Sequence, residues 1–203
     1  MHKLIKMSLA AFLMLSASVI GHTAVKTDEK APAFSLTDID GKVHSLADYK
    51  GKYVVLEWTN YDCPFVKKHY GTNNMQTLQK DWTAKDVVWL SICSSVKGKQ
   101  GYMTAAEWKE ATKKQNTGGS AILLDEKGKV GQLYAAKTTP HMFIVNPEGV
   151  IIYQGAIDDK ATADSADVPG ATNYVSKALT EAMAGQKVGS PTTTPYGCSV
   201  KYK

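Results

Sequence analysis

None of the 24 basic residues of this 203-residue chain is an arginine; all are lysines. That absence removes the planar fork of donors with which a guanidinium grips an anion, since a lysine can replace only its charge. Cysteine is scarce as well, with Cys63, Cys93 and Cys198 the whole complement. Three thiols permit one intramolecular bridge at most and exclude a disulfide scaffold. The patterns C-x-x-C and H-E-x-x-H are missing and the five histidines are scattered, so neither a metal nor a cofactor is expected. The net charge of +5 falls to near +3 if Lys3 and Lys6 are removed with a leader. It is spread along the chain, without the clustered footprint of a nucleic-acid binder. No apolar run reaches the ~18 residues that suggest a membrane span.

The longest apolar stretch, MSLAAFLMLSASVI (7–20), follows two lysines and is followed by Gly21 and Ala24. A basic start, a short apolar run and a small-residue exit predict a signal peptide over residues 1–24, cleaved after Gly21 or Ala24. The mature protein is therefore expected to be periplasmic or secreted, with no membrane attachment. Residues 28–185 read as one domain and 186–203 as a polar tail rich in Thr, Pro and Gly.

Within the domain, FSLTDIDGKVHS (34–45) reads as a hairpin turning at Asp40-Gly41. YVVLEWT (53–59) and VVWLSI (87–92) are near-continuous apolar strands of the kind buried on both faces. Gly71, Met75, Leu78 and Trp82 recur at helical spacing, predicting one helix from Pro64 to Trp82. Thr104 and Glu107 form a capping box, flanked by the staple pair Met103 and Trp108. AILL (121–124), HMFIVN (141–146) and VIIYQG (150–155) are further strands, the last two joined by a turn at Pro147-Glu148-Gly149. A helix over 173–184 closes the domain at Gly185. Strands alternating with helices imply an α/β fold, a central mixed sheet with helices on both faces.

In such sheets the working groups collect at the carboxyl ends of the parallel strands. Cys63 sits just beyond strand 53–59 and immediately before Pro64, a residue favoured in the first turn of a helix. A thiol at a helix amino terminus has a lowered pKa and is a better nucleophile at neutral pH. Lys67 and Lys68, about one turn on, add positive potential. Trp58 and Tyr61 flank this loop, either as a shield for the thiolate or as core aromatics. His69 and His141 are expected to be structural rather than catalytic.

The strand YVVLEWT, the turn NYDCP, the helix FVKKHY and the segment TTPHMFIVNPEGVIIYQG together resemble the redoxin superfamily. The likeness is to the alkyl hydroperoxide reductase and thiol-specific antioxidant branch of the thioredoxin fold. GKQGYMTAAEW and GCSVKY resemble a peroxiredoxin-like subgroup with C-P-x-V in place of C-x-x-C. The resemblance implies a thioredoxin-like fold, Cys63 as the reactive thiol and Thr139-Pro140 as a cis-proline turn facing it. It also implies a thiol reductant, such as a thioredoxin-like donor, and either peroxide or a protein disulfide as oxidant.

Two departures stand out. Val66 occupies the place of a second active-site cysteine, which excludes a vicinal dithiol. Peroxiredoxins carry Thr or Ser three residues before the reactive cysteine, together with an arginine. Here that position is Asn60, Thr59 lies one further back, and there is no arginine. Two resolving partners are open. Cys93 ends a strand parallel to that of Cys63, and Cys198 lies in a tail free to approach and leave. The likeness of GCSVKY points to a Cys63–Cys198 disulfide, with Cys63–Cys93 as runner-up. The expected function is an exported thiol oxidoreductase of peroxiredoxin-like type. The alternatives are a cytochrome-assembly type reductant of partner disulfides and a redox-inactive binding module on the same fold.

Overall fold

The computed structural model describes residues 25–202, so the expected signal peptide lies outside the described residues. The hairpin forms as β1 (Ser35–Asp38) and β2 (Val43–Ser45). The Asp38 carboxylate accepts the N–H groups of Asp40 and Lys42 at 2.8 and 2.9 Å, closing the turn where Gly41 takes a positive φ of 86°. β3 (Val54–Trp58), α1 (Pro64–Gly71), α2 (Asn74–Thr83), β4 (Val88–Cys93) and α3 (Ala105–Gln115) follow. After them come β5 (Ala121–Leu124), α4 (Lys129–Leu133), β6 (Thr138–Thr139), β7 (His141–Val145), β8 (Ile151–Gly155), α5 (Tyr174–Met183) and β9 (Cys198–Ser199).

Seven strands build one mixed sheet in the order β2-β1-β5-β4-β3-β7-β8. β3, β4 and β5 run parallel and the other pairings are antiparallel. Successive strand residues face opposite sides, and the sheet has a packed layer on each. Val54, Leu56 and Trp58 pack with Leu90, Ile92, Tyr134 and Phe143 on one side. Val55 joins Trp89, Trp108, Tyr153 and Leu179 on the other. That double burial is why β3 and β4 read as continuous apolar runs. Each fully buried aliphatic side chain here stabilises by about 1.5–3 kcal/mol.

The capping box forms as expected: Thr104 Oγ1 accepts the Glu107 N–H at 3.3 Å, and Glu107 Oε2 accepts the Thr104 N–H at 2.7 Å. The helix expected from Pro64 to Trp82 is two helices instead. Asn73 adopts φ 60°, in the left-handed region that asparagine tolerates better than most residues. The chain turns there, and the Tyr70 carbonyl accepts both the Asn73 N–H at 3.2 Å and the Gln76 side-chain amide at 2.9 Å. The hydrophobic spacing survives the break because both helices lay Tyr70, Met75, Leu78 and Trp82 on the same core layer. The tail is not loose. β9 pairs antiparallel with β6, Val188 and Val200 are buried, and the Tyr202 hydroxyl donates to the Ala136 carbonyl at 2.8 Å. Among the described residues no helix is long and apolar enough to cross a membrane.

Candidate active site

β3 delivers the chain to the carboxyl edge of the sheet, and the loop 60–62 is shaped by its own polar groups. Asn60 Oδ1 accepts the Asp62 N–H at 2.9 Å, and the Cys63 N–H donates to the Asn60 carbonyl at 3.0 Å. Cys63 is the N-cap of α1 and Pro64 its first residue. The Val66 and Lys67 N–H groups donate to the Cys63 carbonyl at 3.0 and 2.9 Å, which sets the first turn.

The Cys63 side chain has no exposed surface. Two remote segments meet its sulfur. As a thiol, Sγ–H donates to the Thr139 carbonyl at 3.1 Å, and the Cys198 N–H donates to Sγ at 3.4 Å. The Thr139-Pro140 bond is cis, and in the β6–β9 pair Thr139 lies opposite Cys198. Burial pushes the Cys63 pKa up. The nearby Cys198 thiol, Val66 and Cys198 N–H groups and Thr139 hydroxyl outweigh it, so the net shift is downward. The Thr139 hydroxyl makes no well-aligned hydrogen bond of its own, so it contributes by proximity to the sulfur. Burial, and then the neighbouring Cys63, push Cys198 up to about 11. The pair is thus divided into a more readily ionised nucleophile and a thiol that holds its proton. Iodoacetamide labelling of Cys63 followed against pH is expected to give a midpoint below the ~8.5 of a free thiol. Replacing Cys198 with alanine should raise that midpoint. A midpoint at or above the free value would remove the proposed activation.

The other expected residues divide. Thr59 continues β3, donating its N–H to Ile92 at 3.0 Å. Its buried hydroxyl has no hydrogen-bond partner and is not among the groups that meet the sulfur. Cys93 ends β4 and its thiol points at the Gly101 carbonyl, 3.5 Å away. Burial raises its pKa, so it is a less nucleophilic setting than that of Cys63. Lys67 is exposed, whereas Lys68 turns inward, is 1% exposed and donates to the Lys160 carbonyl at 2.8 Å. His141 accepts the Lys137 N–H at 3.1 Å, and burial lowers its pKa to about 3. Burial likewise lowers His69 to about 4, with Asp158 opposing that shift. Trp58 lies in the opposite core layer against Tyr134 and Phe143. Tyr61 shares the layer of Cys63, with its ring 4.7–4.8 Å from those of Trp108 and Tyr70.

Glu57 was not singled out by sequence, although one acid in the apolar run YVVLEWT was a visible signal. It is fully buried. Its carboxyl accepts from Trp89 Nε1 at 2.8 Å, the Tyr70 hydroxyl at 2.9 Å, Ser91 at 2.9 Å and Gln79 at 3.2 Å. Burial raises its pKa against those four donors. A raised carboxyl pKa favours the folded state below the unfolded value near 4.3, and that contribution is lost as pH rises through the folded value. Glu57→Gln should therefore flatten stability against pH above about 4. At pH 7 it should hold stability or raise it by on the order of 1 kcal/mol. Urea unfolding of both proteins from pH 4 to 8 checks this; a loss of several kcal/mol would show that the ionised carboxylate is needed.

Comparison with known proteins gives this chain relatives of the same fold. The description "AhpC/TSA family" matches residues 27–154. The chain is 28% identical to thioredoxin-like protein YneN of Bacillus subtilis (strain 168) over 147 residues, covering 71% of this chain and 81% of that protein. It superposes on an uncharacterized conserved protein from Geobacillus kaustophilus with TM-score 0.73 and 25% identity, over 91% of this chain and 98% of that one. The thioredoxin domain of a thiol-disulfide oxidoreductase from Bacteroides vulgatus gives TM-score 0.51 and 25% identity, over 64% and 89%. Fold and relatives together carry a thiol-based redox function.

Proposed function

Because this chain belongs to the AhpC/TSA family, we propose that it is a peroxiredoxin-like thiol oxidoreductase working through Cys63 and Cys198. The observation that carries the reading is the meeting of a thiolate-favouring sulfur with the Cys198 backbone across the β6–β9 pair. Attack of the Cys63 thiolate on a peroxide breaks the O–O bond and forms an S–O bond. The leaving oxygen takes a proton, giving water or an alcohol, and sulfur is left as a sulfenic acid. Cys198 then attacks that sulfur; an S–S bond forms and the hydroxyl departs as water. A dithiol donor returns both cysteines to thiols by exchange, oxidising its own pair. The leader-like residues 1–24 support export, and an oxidising compartment suits such a cycle.

The chemistry is expected to be slow for its class. No arginine is available to steady the peroxide, and Thr59 is not among the groups at the sulfur, so preorganised donors for the developing charge are few. Stopped-flow oxidation should give a rate far below the diffusional ceiling of about 10⁸–10⁹ M⁻¹s⁻¹. Non-reducing peptide mapping after one equivalent of peroxide should link Cys63 to Cys198. A Cys63–Cys93 link with Cys198 free to alkylate would overturn the assignment. The same pair could instead reduce a partner's disulfide. Val66 leaves Cys198 as the thiol that would release such a partner, and a mixed disulfide accumulating in Cys198→Ser without peroxide would favour that reading.

A further inference from the structure

Cys63 is covered by the strap that carries Cys198, yet the strap's own ladder is two residues long. Thr138 pairs with Ser199 and Thr139 with Cys198. What seats it so closely is Tyr196. Its hydroxyl donates to Asp158 Oδ1 and lies 3.2 Å from His69 Nε2, and its ring lies 5.8 Å from that of Phe65. Asp158, Lys68 and His69 are at most 2% exposed. Lys68 Nζ lies 3.9 Å from Asp158 Oδ2 and 5.6 Å from the centre of the Tyr196 ring. The Lys160 N–H donates to Asp158 Oδ1 at 3.0 Å. Buried polar groups are expensive when left unpaired, and here one tail residue completes the set. Beyond Cys198, the Val200 N–H donates to the Lys137 carbonyl at 3.0 Å. The strap is therefore held on both sides of Cys198.

We propose that Tyr196 and Asp158 form a latch whose closure both seats Cys198 on Cys63 and shuts Cys63 off from reactants larger than a peroxide. Both are positioning residues, and the role rests on the Cys63–Cys198 reading above. The latch divides two demands on one thiol. Closed, it brings the resolving cysteine to the sulfur; open, it admits a partner that is larger than a peroxide. The energy involved is local, because the cluster joins α1, the segment after β8 and the tail through side chains outside the strands.

Tyr196→Phe keeps the ring against Phe65 and removes the hydroxyl; Asp158→Asn keeps the shape and changes the acceptor. In each variant all three thiols are labelled with iodoacetamide and quantified by peptide mass, with Cys93 reporting global opening. Cys63 labelling is expected to rise on the order of tenfold over Cys93, the weight of one net hydrogen bond to a carboxyl group. Formation of the Cys63–Cys198 bridge after peroxide should slow by a similar factor. Unchanged Cys63 labelling in both variants, or a rise that Cys93 matches, would overturn the latch. If the unmutated protein forms no Cys63–Cys198 bridge, the redox reading fails instead, and labelling still decides whether Tyr196 shields Cys63.

Discussion

Cys63→Ser is expected to reduce peroxide-driven bridge formation to the uncatalysed background, whereas Cys198→Ser keeps the first oxidation and loses the second. A serine hydroxyl cannot take up the oxygen as a sulfenic acid, and at neutral pH it is not an anion. The sulfur of Cys63 is the sole one with a downward shift in pKa; burial raises Cys93, and burial together with Cys63 raises Cys198. Both are therefore poorer nucleophiles for the first step. In Cys198→Ser the backbone N–H that donates to Sγ at 3.4 Å remains, so the initial rate should fall by no more than about tenfold, one pKa unit's worth of interaction. The sulfenic acid should then persist, be captured by dimedone, and pass to the sulfinic acid with excess peroxide. Intact-mass measurement over time separates the species. Rapid bridging in Cys198→Ser would identify Cys93 as the resolver.

The second large effect is expected from Gly197→Ala. Gly197 has φ 136°, a conformation that side chains rarely adopt, and a methyl group there would lie 2.2 Å from the Thr139 carbonyl oxygen and 2.8 Å from its carbon. Those are backbone atoms of the segment that leads directly into β7, a strand paired on both sides within the sheet, so the strap rather than the sheet must yield. Backbone strain alone costs about 1–3 kcal/mol at such positions, and the clash adds to it. We expect bridge formation to fall on the order of 100-fold, two factors of ten for roughly 2.8 kcal/mol. Cys63 and Cys198 labelling should increase while Cys93 labelling stays unchanged. Bridge formation at the unmutated rate would mean that the strap need not rest where it does for Cys198 to reach Cys63.

Much of the fold was legible because its signals are local. A continuous apolar run bounded by turns identifies β3 and β4, and Thr104 with Glu107 marks the start of α3 whatever lies around it. Cys63 before Pro64 placed a thiol at a helix start from adjacent residues alone. The break at Asn73 was not legible, since periodicity passes through it unchanged when both helices face one core layer. The inward turn of Lys68 was equally hidden: an exposed or buried lysine looks the same until Asp158 and Tyr196, 90 and 128 positions further along the sequence, are brought beside it.

The sequence by itself determined that Cys63 stands at a helix start and what kind of sheet presents it, because helix termini and strand burial are written in adjacent residues. Only the tertiary structure decided the company that residue keeps. Its sulfur is met by Thr139 and Cys198, 76 and 135 residues away. A tail rich in threonine, proline and glycine reads as free chain until the β6 edge and a buried aspartate give it partners. Hydrogen bonds across such separations leave no periodicity in the sequence, because the pairing depends on where the sheet brings its edges together and not on any spacing along the chain.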